Sequence, residues 1–369
     1  MELQERAIET ALSEMHRKNG ASMGVWLGCA LPDSFADWQT EYWALRDGVG
    51  LIDKNYRAYL SFTGPDRVRY LNAILTNDIK ALRENRGNVS LFLNPQGHIQ
   101  AEIETHARRE ELFCVSFAMI RERLVPALDK YIIMDEVTLT DRTPEYGTLA
   151  LEGPNAAGVV EELTGARVAE MGELESREVS VNGIACCLVR RTPALGSEPS
   201  GELLLARDHL QQTWKILQEA VVAHGGAPAG YKALNSVRLE QGIPWYGYDF
   251  GEKQIPHEAG LENSHISYTK GCYTGQEIVE RVRSRGQVNR VRVSLRFDGG
   301  ESPLANTPLI SEGNEIGYVT RTAFSPALGA PIGMGYVRRE KSAPGTALQW
   351  GDTQASVIAT PVVPAAQRN

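Results

Sequence analysis

Two stretches of this chain share one pattern, and that pattern limits the possible folds more than any other feature. Residues 58–63 (Ala58-Tyr59-Leu60-Ser61-Phe62-Thr63) alternate like a strand. Gly64-Pro65-Asp66 follows and opens a helix carrying Val68, Leu71 and Leu75. Proline at a first helical position has its φ preset and sacrifices no needed N–H. The same order recurs later. Thr148-Leu149-Ala150-Leu151 runs into Gly153-Pro154-Asn155 and a helix with Val159, Val160 and Leu163. Two strand–Gly-Pro–helix units suggest two related halves, an old duplication, although turn chemistry alone also produces such a match.

The elements between these units decide the class. Residues 89–94 lead through Pro95-Gln96-Gly97 into residues 98–106, and residues 112–117 follow, as in an antiparallel meander. Residues 118–131 predict a helix with Ile120, Leu124, Leu128 and Tyr131 on one side. Residues 178–181 and 184–190 flank Asn182-Gly183, a hairpin signal because both positions accept positive φ. Residues 192–200 form a Pro/Gly/Ser loop, residues 201–206 a strand, and residues 208–224 and 231–241 two helices ended by Gly225 and Gly242. No regular βαβ rhythm appears, so the class is α+β rather than a doubly wound sheet. From residue 290 the strands are short and punctuated by Gly and Pro. Val291, Val293, Leu295 and Phe297 point one way and Arg290, Arg292, Ser294 and Arg296 the other. This predicts a small C-terminal β-barrel or sandwich, with a disordered tail over 361–369. At the start, Leu3, Ala7, Ile8, Ala11, Leu12 and Met15 predict an amphipathic helix stopped by Asn19-Gly20.

A chain of 369 residues is too long for one small core. The boundaries read as 1–140 for an N-terminal α+β domain with an extra helix over 1–20, 141–286 for a second α+β domain, and 287–360 for the barrel. The net charge of −8 excludes a general polyanion binder. The five cysteines, Cys29, Cys114, Cys186, Cys187 and Cys272, are odd in number and lack metal-type spacing. A reducing compartment is expected, with neither a disulfide framework nor a zinc site. Charges throughout the first residues exclude a signal peptide, and no apolar run reaches membrane-spanning length. A cytoplasmic monomer is expected, with no membrane partner.

One octet carries the sharpest chemistry: Lys270-Gly271-Cys272-Tyr273-Thr274-Gly275-Gln276-Glu277. Thr274 and Glu277 fit a capping box, and Ile278, Val279 and Val282 continue as an apolar helical stripe. Cys272 then sits at the positive end of a helix dipole beside Lys270, and both favour thiolate over thiol. A buried cysteine acting as a small hydrophobe is the competing reading. Upstream, residues 238–261 are rich in polar groups at loop-like spacing: Arg238, Glu240, Trp245, Tyr246, Asp249, His257 and Glu258. His98 with Glu102 and His257 with Glu258 are two weak His–carboxylate pairs, and no grouping has metal-ligand spacing.

These motifs carry a resemblance. Arg238-x-Glu240-x-Gly242, Gly247-x-Asp249 and Pro256-x-Glu258-Ala259-Gly260-Leu261 resemble the folate-binding core of the glycine-cleavage T-protein (aminomethyltransferase, GcvT) superfamily. Thr76-Asn77-Asp78, Asn94-x-x-Gly97, Leu149-x-Leu151-x-Gly153-Pro154 and Gly201-Glu202 agree in order. So do Gly317-Tyr318-Val319-Thr320, Ser325-Pro326 and Gly335-Tyr336-Val337, and the match covers roughly residues 40–350. The Cys272 octet is similar to the hallmark of the YgfZ branch, folate-binding proteins linked to iron–sulfur cluster maintenance and tRNA modification. The resemblance implies three domains in a cloverleaf around a channel holding tetrahydrofolate, with mixed antiparallel sheets, helices and a small C-terminal β-barrel. By that resemblance Glu202 accepts a forked pair from the pterin edge, and Arg238 suits the carboxylates of the folate tail. Asn94, Glu240 and Tyr246 complete the implied folate contacts, with Trp245 a further aromatic candidate.

One departure bears on activity. T-protein enzymes place an aspartate pair after the Asn-x-x-Gly stretch, where this chain has Ala101-Glu102. Either Glu102 substitutes, or aminomethyl transfer is lost while folate binding is kept. Residues 281–296 hold six arginines (281, 283, 285, 290, 292, 296) and no acid. They read as a phosphate-binding surface or as a solvated arginine face in an acidic protein. Three functions remain open on the sequence. The first is a folate-dependent accessory protein in iron–sulfur cluster assembly or tRNA modification, with reactive Cys272 supported by Lys270. The second is a folate-dependent aminomethyl or related one-carbon transferase using Glu102. The third is an RNA-binding module built on the arginines.

Overall fold

The computed structural model describes residues 7–192 and 199–362. The class is α+β, with several antiparallel sheets and a closed six-stranded barrel. The chain forms two compact units. Unit 1 takes in the chain as far as Leu71, then Ile79–Asn88 and Ile103–Leu234. Unit 2 takes in Asn72–Asp78, Val89–Glu102 and the chain from Asn235 onward.

In unit 1 a six-stranded sheet runs in the order Ser176–Val181, Ile184–Arg191, Ser200–Ala206, Tyr146–Glu152, Gly50–Asp53, Ala227–Pro228. All neighbours are antiparallel except the last pair. Its apolar face meets the helices Ala156–Thr164 and Leu210–Ala223 through Leu149, Leu151, Leu188, Leu203, Val160 and Trp214, all buried. Burying a side chain of this size contributes about 1.5–3 kcal/mol. The Asn182-Gly183 hairpin forms as read, with φ of 49° and 81° at the two positions. Both strand–Gly-Pro–helix units also form: Arg57–Thr63 leads into Arg67–Ile74, and Tyr146–Glu152 into Ala156–Thr164. Gly64 has φ 98°, and a Cβ there would lie 2.1 Å from the Glu136 carbonyl oxygen, so no side chain fits.

A second sheet has the order Gly87–Leu93, Ile99–Ala107, Leu112–Phe117, Arg57–Thr63, Thr138–Asp141. In unit 2 the barrel closes in the order Arg290–Phe297, Ala330–Arg338, Asn314–Ser325, Pro308–Ser311, Ala347–Trp350, Thr353–Ile358. Val293, Leu295 and Phe297 enter its core with Val319, Val337 and Leu348, as the alternation requires.

The start of the chain differs from expectation. Ile8–Glu9 is a strand paired in parallel with Cys29–Ser34, and only Ser13–Lys18 is helical, ending at Asn19. Thr10 and Ser13 bond to each other locally (2.9 Å), which stops the helix from extending upstream. The expected helix over 118–131 ends earlier, at Asp129, and Tyr131 is exposed beyond it. Leu3, residues 193–198 of the 192–200 loop and residues 363–369 of the tail lie outside the described residues. Among the described residues no helix is long and apolar enough to cross a membrane.

Candidate functional site

Unit 1 buries an unusual concentration of charge. Glu202 lies at the centre of the six-stranded sheet, opposite Ala150 and Val189 on the neighbouring strands. Arg57 donates to both of its oxygens, at 2.7 and 2.9 Å. Arg191 Nε adds a bond of 2.7 Å, and Lys54 Nζ stands 3.1 Å away. Lys54 also meets Glu152 at 2.6 Å, and Arg191 meets Glu104, which is paired in turn with His106. Glu104 and His106 are two apart on a strand and therefore share a face. Burial pushes the Glu202 carboxyl up, but Arg191, Arg57 and Lys54 outweigh it and hold the pKa well below the usual range. Burial is likewise outweighed at Glu104, where Arg191 and His106 bring the pKa to about 2.

This arrangement revises the reading of Glu202. It offers no free fork, because four cationic donors already occupy its two oxygens. The cavity beside it, walled by Tyr59, Phe113 and Val115, measures about 20 Å³, room for one water molecule. Sequence reasoning missed Arg57, Arg191 and Lys54 as partners. They come from three different strands or strand ends, and no local spacing links them to residue 202.

In unit 2 the Cys272 octet is fastened at both ends. Lys270 Nζ donates to the carbonyl oxygens of Asn72, Leu75 and Asn77 at 2.7, 2.5 and 2.9 Å. Thr274 N bonds to Ala73 O. Lys270 is thus a strut that satisfies carbonyls at the end of a helix, rather than an ammonium reserved for the thiol. The expected capping box does not form. The helix is Gln276–Arg285, its N-cap is Gly275 at φ 81° with no side-chain cap bond, and Glu277 pairs with Arg281 at 2.7 Å. The cause is a close approach. A Cβ on Gly275 would lie 2.7 Å from Asn94 O, and one on Gly97 would lie 2.9 Å from the Ile278 side chain. Only glycine lets the octet pack against the Asn94–Gly97 turn. Cys272 is exposed and the other four cysteines are buried. Burial pushes the thiols of Cys29 and Cys114 up to about 12 and those of Cys186 and Cys187 to about 11.

Asn94 is the builder of that turn. Its Oδ1 accepts from His98 N (2.9 Å) and its carbonyl accepts from Gly97 N (2.9 Å). On the strand that follows, Ala101 is fully buried and Glu102 faces the other way, half-buried. Glu102 Oε1 lies 3.7 Å from His265 Nε2, and His265 Nδ1 meets Ser264 Oγ at 2.7 Å. The His265 carbonyl accepts from Thr76 Oγ1 (2.6 Å), which fixes its loop. The sequence pairings of Glu102 with His98 and of His257 with Glu258 are replaced. His257 Nε2 meets the Tyr268 hydroxyl at 3.2 Å, and Glu258 accepts from Ile255 N at 3.1 Å. His265 gave no sequence signal, since it reaches Glu102 from a distant loop.

Arg238, on the helix Tyr231–Gln241, is completely buried. It pairs with Asp249, donates to Asn235 Oδ1 (2.9 Å) and Ile243 O (3.0 Å), and stacks 4.4 Å over the Trp245 ring. Asp249 also accepts from Trp245 N (2.9 Å) and Thr320 Oγ1 (2.7 Å). Glu240 accepts from Ser325 Oγ, and the Tyr246 hydroxyl donates to Gln100 O at 2.6 Å. Arg238, Glu240 and Asp249 therefore anchor the 242–249 loop onto barrel strands of unit 2. The arginine run does not form one face. Arg292 is turned inward onto Ala259 O (2.9 Å) and Gly242 O (3.2 Å), Arg281 is paired with Glu277, and Arg283 stacks 4.2 Å over Tyr268. Among the described residues no cluster of three or more His, Cys, Asp or Glu side chains could hold a metal.

Mixed antiparallel sheets, a closed C-terminal barrel and a loop tied by Arg238 and Asp249 define an α+β protein. Residues 12–266 match the GCVT N-terminal domain family and residues 290–365 the glycine cleavage T-protein C-terminal barrel domain, and the chain belongs to this family. The chain is 30% identical to an aminomethyltransferase of Rubrobacter xylanophilus, covering 90% of this chain and 87% of that one. It is 29% identical to an aminomethyltransferase of Streptomyces avermitilis, covering 92% and 91%. The crystal structure of glycine cleavage system aminomethyltransferase T from Bartonella henselae superposes with a TM-score of 0.86 over 98% of this chain and 99% of that one. At 23% identity that likeness establishes the fold.

Proposed function

We propose that this chain is a tetrahydrofolate-dependent one-carbon transferase of the aminomethyl type, with Glu102 and His265 as its acid–base pair. The observation that carries the reading is the 3.7 Å approach of His265 to Glu102, a residue that the sequence resemblance sets against the family's aspartate pair. A carboxylate there stabilises positive charge developing on a transferred aminomethyl carbon. His265, steadied by Ser264 at 2.7 Å, can carry a proton to or from it. Tetrahydrofolate is the acceptor that family membership suggests, and when bound it supplies a nucleophilic ring nitrogen. As placed, Glu202 and Arg238 are both committed to internal partners. Glu202 meets a pterin edge only if Arg57 or Arg191 turns away from it. The test is turnover of an aminomethyl or methylamine donor at saturating tetrahydrofolate. Glu102→Gln is expected to slow it by roughly 10²–10⁴-fold with folate affinity retained. Absence of turnover in the wild type, or an unaffected rate in the variant, would overturn the assignment.

A second reading is favoured by Cys272. It proposes a folate-binding accessory protein of the YgfZ type, acting in iron–sulfur cluster assembly or tRNA modification. Its support is an exposed thiol on a loop fixed by Lys270 and Gly275, while the other four thiols are buried. Under this reading Cys272→Ala keeps tetrahydrofolate affinity and fails to restore growth to a deletion strain. Restoration equal to that of wild type would rule it out.

A further inference from the structure

A cleft of about 730 Å³ lies within unit 1, on the face of Arg57 and Tyr59 opened by the N-terminal strands. Its size falls in the range of small-molecule sites. Its walls are unusual for an open surface. Ile8 is 42% and Val25 60% exposed, and both line it together with Met119, Pro144 and Tyr146. Large apolar groups left in water inside a concavity mark a binding surface more than a folding core.

Of the charged side chains that line the cleft, Glu122 is exposed to solvent. Arg57 is committed to Glu202 and Arg121 to Asp141 at 2.6 Å. Glu9 is neutralised by Arg17, at 2.6 and 2.9 Å. Arg207 is different: its guanidinium is half-buried at the cleft wall and has no ion-pair or hydrogen-bond partner among the described residues. Its backbone is held by Glu145 O at 2.8 Å, so the side chain is displayed from a fixed point. A planar guanidinium with free N–H donors recognises a carboxylate in a forked pair.

We propose that this cleft binds a small amphipathic organic anion, a carboxylate on an aromatic or apolar body, with Arg207 as its anchor. Arg207 takes the carboxylate, and Ile8, Val25, Met119 and Tyr146 cover the body. The site is separate from the Glu102–His265 pair and does not depend on the transferase reading.

The experiment titrates full-length protein with benzoate and with its uncharged analogue benzamide, read by saturation-transfer NMR and calorimetry. Benzoate is expected to bind at least about tenfold more tightly than benzamide, a difference of about 1.4 kcal/mol. Arg207→Ala should weaken benzoate at least tenfold, and Arg207→Lys by less. Val25→Asp, which places a carboxylate in the wall at an exposed position, should abolish benzoate binding while the thermal unfolding of the free protein stays put. Equal binding of benzamide and benzoate to the wild type would overturn the proposal without any variant. So would benzoate binding unchanged in Arg207→Ala or Val25→Asp.

Discussion

Glu202→Gln is expected to cost about 3–5 kcal/mol of folding stability, the range for breaking a buried ion pair from one side. Glu202 is 2% exposed, and its removal leaves Arg57, Arg191 and Lys54 with one buried carboxylate fewer among them. Glutamine keeps the shape and one acceptor but not the charge, so the loss reports the cation–anion balance rather than a cavity. Chemical denaturation of the full chain measures it. The same cluster sets the acid behaviour of the protein. Glu202 and Glu104 both have carboxyl pKa values held below the unfolded value, Glu104 at about 2. Their stabilising contribution is therefore complete above the unfolded carboxyl pKa of about 4.3 and fades as pH falls through the folded value. Glu202→Gln should show a shallower loss of stability between about pH 4 and pH 2 than the wild type. A stability equal to wild type at pH 7 would show that the cluster relaxes into solvent when one member is removed.

The second large effect is expected at Asp249. Arg238 and Asp249 are both fully shielded, and the carboxylate also holds Trp245 N and Thr320 Oγ1. Asp249→Ala strands a buried guanidinium and two further donors, again about 3–5 kcal/mol. Asp249→Asn keeps one acceptor oxygen, for Trp245 N, while its amide N–H can donate to the Thr320 hydroxyl, and it should recover part of that loss. If Arg238 served ligand binding alone, both variants would fold like wild type and differ only in affinity. The expected result is the reverse ordering, a stability defect measurable without any ligand.

These two residues show what could and could not be read along the chain. The two motifs that hold Arg238 and Asp249 were visible, and so was the family they resemble. The resemblance assigned Arg238 outward, to a folate tail, and the structure turns it inward. Burial of a guanidinium depends on a counterion and a stacked ring, here Asp249 and Trp245 with a barrel strand behind them, and that packing has no one-dimensional signature. The octet gives the same lesson at short range. Thr274 and Glu277 satisfy the spacing rule for a capping box, but the packing of the Asn94–Gly97 turn against Gly275 decides the conformation. Lys270 stands two residues from Cys272 in the chain, yet its ammonium is taken by three carbonyls of a helix end far away in sequence.

By itself the sequence determined the α+β class, both Gly-Pro units, the Asn182-Gly183 hairpin, the barrel strand at residues 290–297 and the superfamily. Each of these rests on local periodicity, turn chemistry or short motifs, which the chain carries in order. Only the tertiary structure decided that Glu202 is saturated by Arg57, Arg191 and Lys54, that Glu102 meets His265, and that Arg207 lines a cleft with Ile8, Val25 and Tyr146. Those pairings join strands and loops far apart in the chain. They are selected by desolvation and charge balance in the folded state, where removing water makes each partner's identity matter.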